Sequence, residues 1–307
     1  MQAINPKVSI GLAVYNGEEY LQEAIDSILA QTFTDFELII SDNASTDRTA
    51  EICQAYAAQD ERVRYHRNPT NIGGANNENQ TFKMSHGEYF RWAADDDICA
   101  PTLIEECVKI LDQDPSVVLC YSKTALIDKD GNQIGKSKIA RAESKRSYRR
   151  FRAIAMSKDI SEQTYGLMRS EIVKKTELQK NYTNSDRVLL AELALYGKFH
   201  ELPEYLFYKR IHPKNIYLNC RTRMAWFDPS YKGQIVFPWW MQLFDYIRTI
   251  TQMPISKFNK MMCYLVIVEW IVLFGKHLVK DVISAIYMRL HSFEWRKKQY
   301  EITDNWS

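Results

Sequence analysis

Three observations on this 307-residue sequence predict an α/β fold, with a mainly parallel sheet covered by helices on both faces. Short apolar runs of strand type alternate with longer segments whose apolar residues recur every three to four positions. Polar loops follow the carboxyl ends of those runs. Three adjacent carboxylates, Asp95, Asp96 and Asp97, stand at the end of one of them.

Lys7 to Val14 is a continuous apolar run and reads as the first strand, broken by Tyr15, Asn16 and Gly17. Leu21, Ala24, Ile25, Ile28 and Leu29 then recur at helical spacing within Glu18 to Gln31. Phe36 to Ser41 is a second strand, giving way to the polar loop Asp42 to Asp47 and a helix over 48–60. Val63 to Arg67 reads as a third strand, followed by a loop holding Asn68, Asn71, Gly73 and Gly74. A polar helix over 75–85 and a strand over 89–93 lead to the acidic triplet. After Pro101, a residue suited to a helix start, the pattern is helical to Gln113. A strand over 117–122 and a hairpin at Asp128 to Gly131 come next. The run from Ser185 is helical and ends at Gly197. Phe199 to Arg210 reads as a pair of strands closing on Ile211, His212 and Pro213. Aromatic-rich helices begin at Val236, so a boundary is expected near 225–235.

The loops at 15–19, 42–47 and 95–97 are far apart in sequence. In an open α/β sheet the carboxyl ends of strands line the ligand crevice, so these loops can meet at one site.

Composition excludes several classes. The apolar fraction of 46% and charged fraction of 25% are those of a globular protein, long enough to bury a full core. A formal net charge of +2 gives no sign of nucleic acid as a partner. Lys136 to Arg152 is a local exception, rich in Lys and Arg, and reads as a solvated loop or as a surface facing anionic lipid or phosphate. The six cysteines are scattered without a Cys-x-x-Cys pair, which suits a reducing compartment. The first residues lack a charged segment followed by an apolar core, so the expectation is a cytoplasmic protein without a signal peptide.

The triplet carries chemistry. Adjacent carboxylates repel one another, and a hard divalent cation taking oxygen ligands, completed by substrate phosphates, is the usual compensation. A solvated turn capping the following helix is the plainer reading. No Gly-x-Gly-x-x-Gly opens the first helix and no P-loop occurs, which argues against a dinucleotide oxidoreductase and a P-loop ATPase. Glu18, Asp42 and Asn43 are placed to hydrogen-bond a ribose and a base, although, taken singly, helix capping of Glu18 and an Asx turn at Asp42 and Asn43 are the better explanations.

Four segments taken together resemble, in order and spacing, the nucleotide-binding half of family 2 glycosyltransferases with the GT-A fold. They are Val14-Tyr15-Asn16-Gly17-Glu18, Gln31 to Asp47, Asn71-Ile72-Gly73-Gly74-Ala75 and Gly87 to Asp97. The resemblance is close over the first 125 residues and looser to about 215. It implies a GT-A domain over 1–230, with a nucleotide-sugar half over 1–125 and an acceptor half over 126–230, followed by a C-terminal helical region over 231–307.

The same resemblance implies roles. Ala13, Val14, Tyr15 and Asn16 would line the nucleotide, with Asn71 beside it, and Glu18 would reach the ribose or base. Asn43 stands where the family often has Asp. The acidic motif is shifted by one residue, which gives Asp97 to a Mn²⁺ or Mg²⁺ ion and Asp95 to the ribose, with Asp96 between them as a candidate second ligand of the ion. Asp186, at the start of a helix, would deprotonate the acceptor hydroxyl, although Asp is also stabilised there without catalysis. His212 would be a further metal contact, and Arg210 would neutralise the departing diphosphate.

Residues 236–290 carry Trp239, Trp240, Phe244, Trp270 and Phe274. The most apolar stretch, Met261 to Gly275, falls short of the ~20 residues that span a bilayer. A helical subdomain packed on the core is expected, with peripheral membrane contact on the inner face as the alternative. The resemblance thus implies a metal-dependent, inverting hexosyltransferase. It would move a sugar from a nucleotide-diphospho-sugar (UDP- or GDP-sugar) to a carbohydrate or lipid-linked hydroxyl acceptor in cell-surface polysaccharide or glycolipid synthesis. The competing readings are a sugar-1-phosphate nucleotidyltransferase and a non-catalytic nucleotide-sugar-binding scaffold. The first lacks its Gly-rich triphosphate loop here; the second would need lost carboxylates.

Overall fold

The computed structural model describes residues 5–158, 162–212, 224, 227–231 and 234–290. Strands β1 (Val8–Val14), β2 (Phe36–Asp42), β3 (Val63–Arg67) and β4 (Tyr89–Ala93) run parallel, in the order β3-β2-β1-β4. Helices α1 (Leu21–Leu29), α2 (Thr49–Gln59) and α3 (Gly74–Lys83) make the crossovers between them. β1 is buried almost throughout, as a central strand covered on both faces must be.

The sheet continues through β5 (Ile98–Cys99), β6 (Val117–Ile127), β7 (Gln133–Lys136), β8 (Leu167–Arg169) and β9 (Lys198–Arg210). Its full order is β3-β2-β1-β4-β8-β6-β9-β5, with β7 paired to β6. Here the pairing is mixed: β8 is antiparallel to β4 and β6, whereas β9 is parallel to β6 and antiparallel to β5. The remaining helices are α4 (Leu103–Gln113), α5 (Ser147–Ala155), α6 (Ser170–Val173), α7 (Ser185–Tyr196), α8 (Pro238–Gln252) and α9 (Lys257–Leu290).

Two cores flank the sheet. β4 shows why, since Phe90 and Trp92 point to one core while Tyr89 and Ala93 point to the other. α1, α2 and α4 cover the second face. α3, α5 and α7 cover the first, where α8 and α9 join them around Tyr246 and Trp270. Truncating Trp270, which is 1% exposed, would cost ~3–5 kcal/mol.

Five elements differ from the sequence expectation. The segment read as a strand pair is the single strand β9. Its pairing with β6 jumps from Ser122↔Leu202 to Lys123↔Tyr205, because Pro203 has no N–H to donate and leaves the ladder as a bulge. The basic stretch is not wholly solvated: it ends in α5, and the buried Arg150 donates to the carbonyls of Ala194, Ser144 and Lys145. β5 and β8 are too short for a periodic signal. α9 runs 34 residues, past the apolar run that ends at Gly275, and is long and apolar enough to cross a membrane. The boundary expected near 225–235 falls partly outside the described residues.

Candidate active site

The loop after β1 and the loop after β2 are laced together. Asn16 N–H donates to Ser45 Oγ at 3.0 Å, and Asn16 Oδ1 accepts from Thr46 N–H at 2.8 Å. Gly17 N–H donates to Thr49 Oγ1, and Glu18 N–H donates to Asp47 Oδ2. Glu18 Oε2 accepts from Arg48 N–H at 3.0 Å, so its carboxylate caps α2 in this structure instead of facing the cleft. Ala13 and Val14 are strand residues paired with Ser41 and Asp42, and Tyr15 is exposed at the rim.

Asp42 and Asn43 build the loop on which the cleft rests. Asp42 is fully buried and accepts from Ser45 N–H, Tyr65 O–H and Arg67 Nη1. Asn43 Nδ2 donates to Asn71 Oδ1 at 2.9 Å, while Asn43 Oδ1 accepts from Ile72 N–H and Asn68 Nδ2. The base and ribose contacts expected of these two side chains therefore meet polar atoms already bonded within the fold. Three of the four non-glycine residues with positive φ among the described residues, Asn16, Ala44 and Asn184, stand in the loops after β1 and β2 and before α7. Such backbone costs free energy and persists only where its surroundings enforce it.

The acidic triplet turns its three carboxylates in different directions. Asp95 Oδ2 lies against Gly17, where a Cβ would come within 2.4 Å of it. Asp96 Oδ2 lies 2.9 Å from His212 Nε2. Asp97 points inward, 5% exposed, and accepts Arg210 N–H at 2.8 Å. Burial, reinforced by the Asp96 charge, pushes the Asp97 carboxyl well above the usual carboxylate range. The expected order, with Asp97 facing the metal and Asp96 between, thus differs from the geometry, in which Asp96 faces His212.

Antiparallel pairing explains this meeting. β5 and β9 align Ile98 with Tyr208 and Cys99 with Phe207, so stepping back to Asp97 and Asp96 means stepping forward to Lys209 and Arg210. Arg210 is 1% exposed and its guanidinium is taken up by the fold. Nε donates to the Asp96 carbonyl, Nη1 to the Lys129 carbonyl at 2.9 Å, and Nη2 to Glu23 Oε2. The contact expected between Arg210 and a diphosphate is not available to a group so enclosed. The Tyr20 ring lies against both residues, its centroid 4.5 Å from the Arg210 guanidinium carbon and 5.2 Å from that of the His212 ring, which is tilted by 39° to it.

Asp186 lies in the first turn of α7, after Asn184 at φ 71° has redirected the chain. Its carboxylate has an acidic neighbour that sequence reasoning missed. Burial, with the Asp186 charge behind it, pushes the Glu78 carboxyl up to about 8. Tyr165, in the 3-10 turn Glu162–Tyr165, is raised by burial and then by the charges of Glu78, Asp97, Asp96 and Asp186. That ring therefore lies within reach of both acidic groups, the triplet and the Asp186 pair. Glu78 sits in a polar helix with no apolar period to mark its direction, and only its nearness to Asp186 at the start of α7 reveals it.

Among the described residues, no three His, Cys, Asp or Glu side chains group as metal ligands. Asp96 with His212 is an oxygen–nitrogen pair of a kind suited to Mn²⁺.

The sequence profile of Glycosyl transferase family 2 matches residues 9–176. An uncharacterized glycosyltransferase of Methanocaldococcus jannaschii is 27% identical over 218 residues, 70% of this chain and 74% of that protein. One of Rickettsia typhi is 37% identical over 131 residues, 42% of this chain and 40% of its own length, so the match spans under half of that relative. Among solved structures, S. aureus TarS 1-349 in complex with UDP-GlcNAc superposes with a TM-score of 0.66 at 15% identity. That match covers 91% of this chain and 80% of TarS 1-349. The mannosyltransferase PcManGT from Pyrobaculum calidifontis, in complex with GDP-Man and Mn2+, gives 0.55 at 15% identity, covering 97% and 85%. At these identities the two structures establish the fold, GT-A.

Proposed function

The chain belongs to glycosyl transferase family 2 and is a glycosyltransferase, and we propose that it moves a hexose from a nucleotide-diphospho-sugar to a hydroxyl acceptor with inversion. The observation that carries the reading is the meeting of Asp96 with His212, and of Asp95 with Gly17, beside the laced loops at the carboxyl ends of β1, β2 and β4. The donors held by the two solved structures, UDP-GlcNAc and GDP-Man, support a nucleotide-sugar donor.

The residues fit a divalent cation, which Asp96 and His212 would hold. When bound, Mn²⁺ or Mg²⁺ supplies compensation for the negative charge of the leaving diphosphate. In this reading Asp97 and Arg210 position the ligands from behind. The Arg210 backbone N–H holds Asp97, and its guanidinium fixes the Asp96 carbonyl. Asp95 and the backbone of Ala13 to Asn16 face the nucleoside, with Asn71 at the edge of the same cleft.

Asp186 takes the proton from the acceptor hydroxyl as that oxygen attacks the anomeric carbon. It stands in the first turn of α7, after the chain is redirected at Asn184. The acceptor is a carbohydrate or lipid-linked hydroxyl, in keeping with cell-surface polysaccharide or glycolipid synthesis. A panel of UDP- and GDP-sugars with Mn²⁺, read by release of the nucleoside diphosphate, tests this. Turnover of one donor that Asp186→Asn abolishes supports the reading. Turnover of none, by a protein that still binds a nucleoside diphosphate, contradicts it.

A further inference from the structure

The most exposed apolar surface among the described residues lies along α9, far from the acidic triplet in sequence. Leu265, Val268, Val272, Val279, Ile283 and Ile286 follow one another at intervals of three, four or seven residues, so they share one helix face. Each is more than half exposed, and Val272 is 79% exposed. The opposite face carries Cys263, Ile267, Trp270, Phe274 and Leu278, all buried against the domain. An apolar residue on both sides of a long helix is the pattern of a helix that meets two apolar environments. The domain is one. We propose that the other is an anionic lipid bilayer, on which α9 lies flat.

Charge selects that partner. α9 carries Lys257, Lys260, Lys276, Lys280 and Arg289 against two acids, Glu269 and Asp281. Both acids are bonded to the domain: Glu269 accepts from Arg152 Nε at 2.8 Å, and Asp281 Oδ2 accepts from Trp239 N–H. Helical geometry sets Lys276 and Lys280 on one flank of the apolar face, where an ammonium reaches the headgroup level. The basic stretch that sequence analysis singled out extends the same surface. Lys145, Arg146 and Arg149 are exposed, Tyr148 accepts from both arginines, and its ring meets Phe258 at the start of α9. On a chain whose net charge is only +2, this concentration is local.

The geometry points to lying on the bilayer and not crossing it, although α9 has the length to cross. Trp240 Nε1 donates to the Leu278 carbonyl, Trp270 packs edge-on to Tyr246, and Arg152 holds Glu269. One side of the helix is therefore covered by α5 and α8 along its length, and α5 bears exposed arginines that hydrocarbon would not accept. At ~1.5 Å per residue the free face makes a strip about 50 Å long.

Flotation of the full chain with vesicles tests this, using phosphatidylcholine alone or with phosphatidylglycerol added. Recovery with the anionic vesicles, falling as salt rises, is expected. The double variant Val272→Glu/Ile283→Glu changes only exposed positions and should lose at least tenfold in vesicle binding with an unchanged melt. Lys276→Glu/Lys280→Glu should lose most of the preference for anionic lipid. A folded wild-type chain that fails to float with anionic vesicles at low salt overturns the proposal. So does a wild-type dimer that Val272→Glu/Ile283→Glu converts to monomer while leaving flotation intact, since a second copy then covers the face.

Discussion

His212 Nε2 lies 2.9 Å from Asp96 Oδ2, although 116 residues separate them in the chain. Sheet register makes the contact: β5, two residues long, pairs antiparallel with the end of β9 and brings residues 96–97 against 209–212. The carboxylate that meets the imidazole is thus set by backbone pairing, with Asp97 turned inward to the Arg210 N–H. One residue of register separates the carboxylate that faces the imidazole from the one turned inward.

Gly17→Ala separates site geometry from stability. The new Cβ would meet Asp95 Oδ2 and Val14 Cγ2, the ends of side chains that can move. The expected outcome is a nucleoside diphosphate affinity lower by ~10-fold, about 1.4 kcal/mol, with only a small change in the melt. Calorimetry beside a thermal scan checks both.

Arg210→Lys tests whether Arg210 is structural. An ammonium cannot reproduce the fork that reaches the carbonyls of Asp96 and Lys129 and the Glu23 carboxylate. A loss of ~3 kcal/mol in denaturant unfolding is expected. Unchanged stability with lost turnover would return Arg210 to the diphosphate.

Asp186→Asn should leave donor binding intact and lower transfer by ~10²-fold or more, as removal of a general base does. Single-turnover rates beside equilibrium binding distinguish the two. Intact transfer would put the base elsewhere.

Glu78→Gln should change the pH dependence of stability. The folded carboxyl titrates at about 8 against an ordinary value of 4.5. Below pH ~4.5 both folded and unfolded chains hold the proton, so the variant and the wild type melt alike. As pH rises toward about 8 the unfolded chain ionises first, and the wild-type fold loses stability that Gln keeps. Melts at pH 4 and pH 8 should show no gain at the first and a gain of ~3 °C or more at the second.

Much of the fold was legible because its parallel half is regular. β1 to β4 and α1 follow apolar periodicity, and the expected positions of these elements and of α2 and the polar α3 agree within a few residues. The later half was less legible for reasons of length and context. β5 and β8 have too few residues to show a period, and Pro203 made one bulged strand look like two. Site residues divide in the same way. The sequence names Asp95, Asp96, Asp97, Asp186 and His212 as candidates, but side-chain direction in the triplet depends on the β5–β9 register, which no local pattern encodes. Glu78 and Tyr20 were missed because each gains its place only from a strand or helix distant in sequence.

The most direct measurement is calorimetric titration of UDP, GDP, CDP and dTDP, each with and without Mn²⁺, into the wild type, Asp96→Asn and Asp97→Asn. The account predicts that one diphosphate binds wild type only with the cation, that Asp96→Asn loses that dependence, and that Asp97→Asn keeps it. Equal binding with and without Mn²⁺, or a loss confined to Asp97→Asn, would contradict the assignment of Asp96 and His212 to the metal.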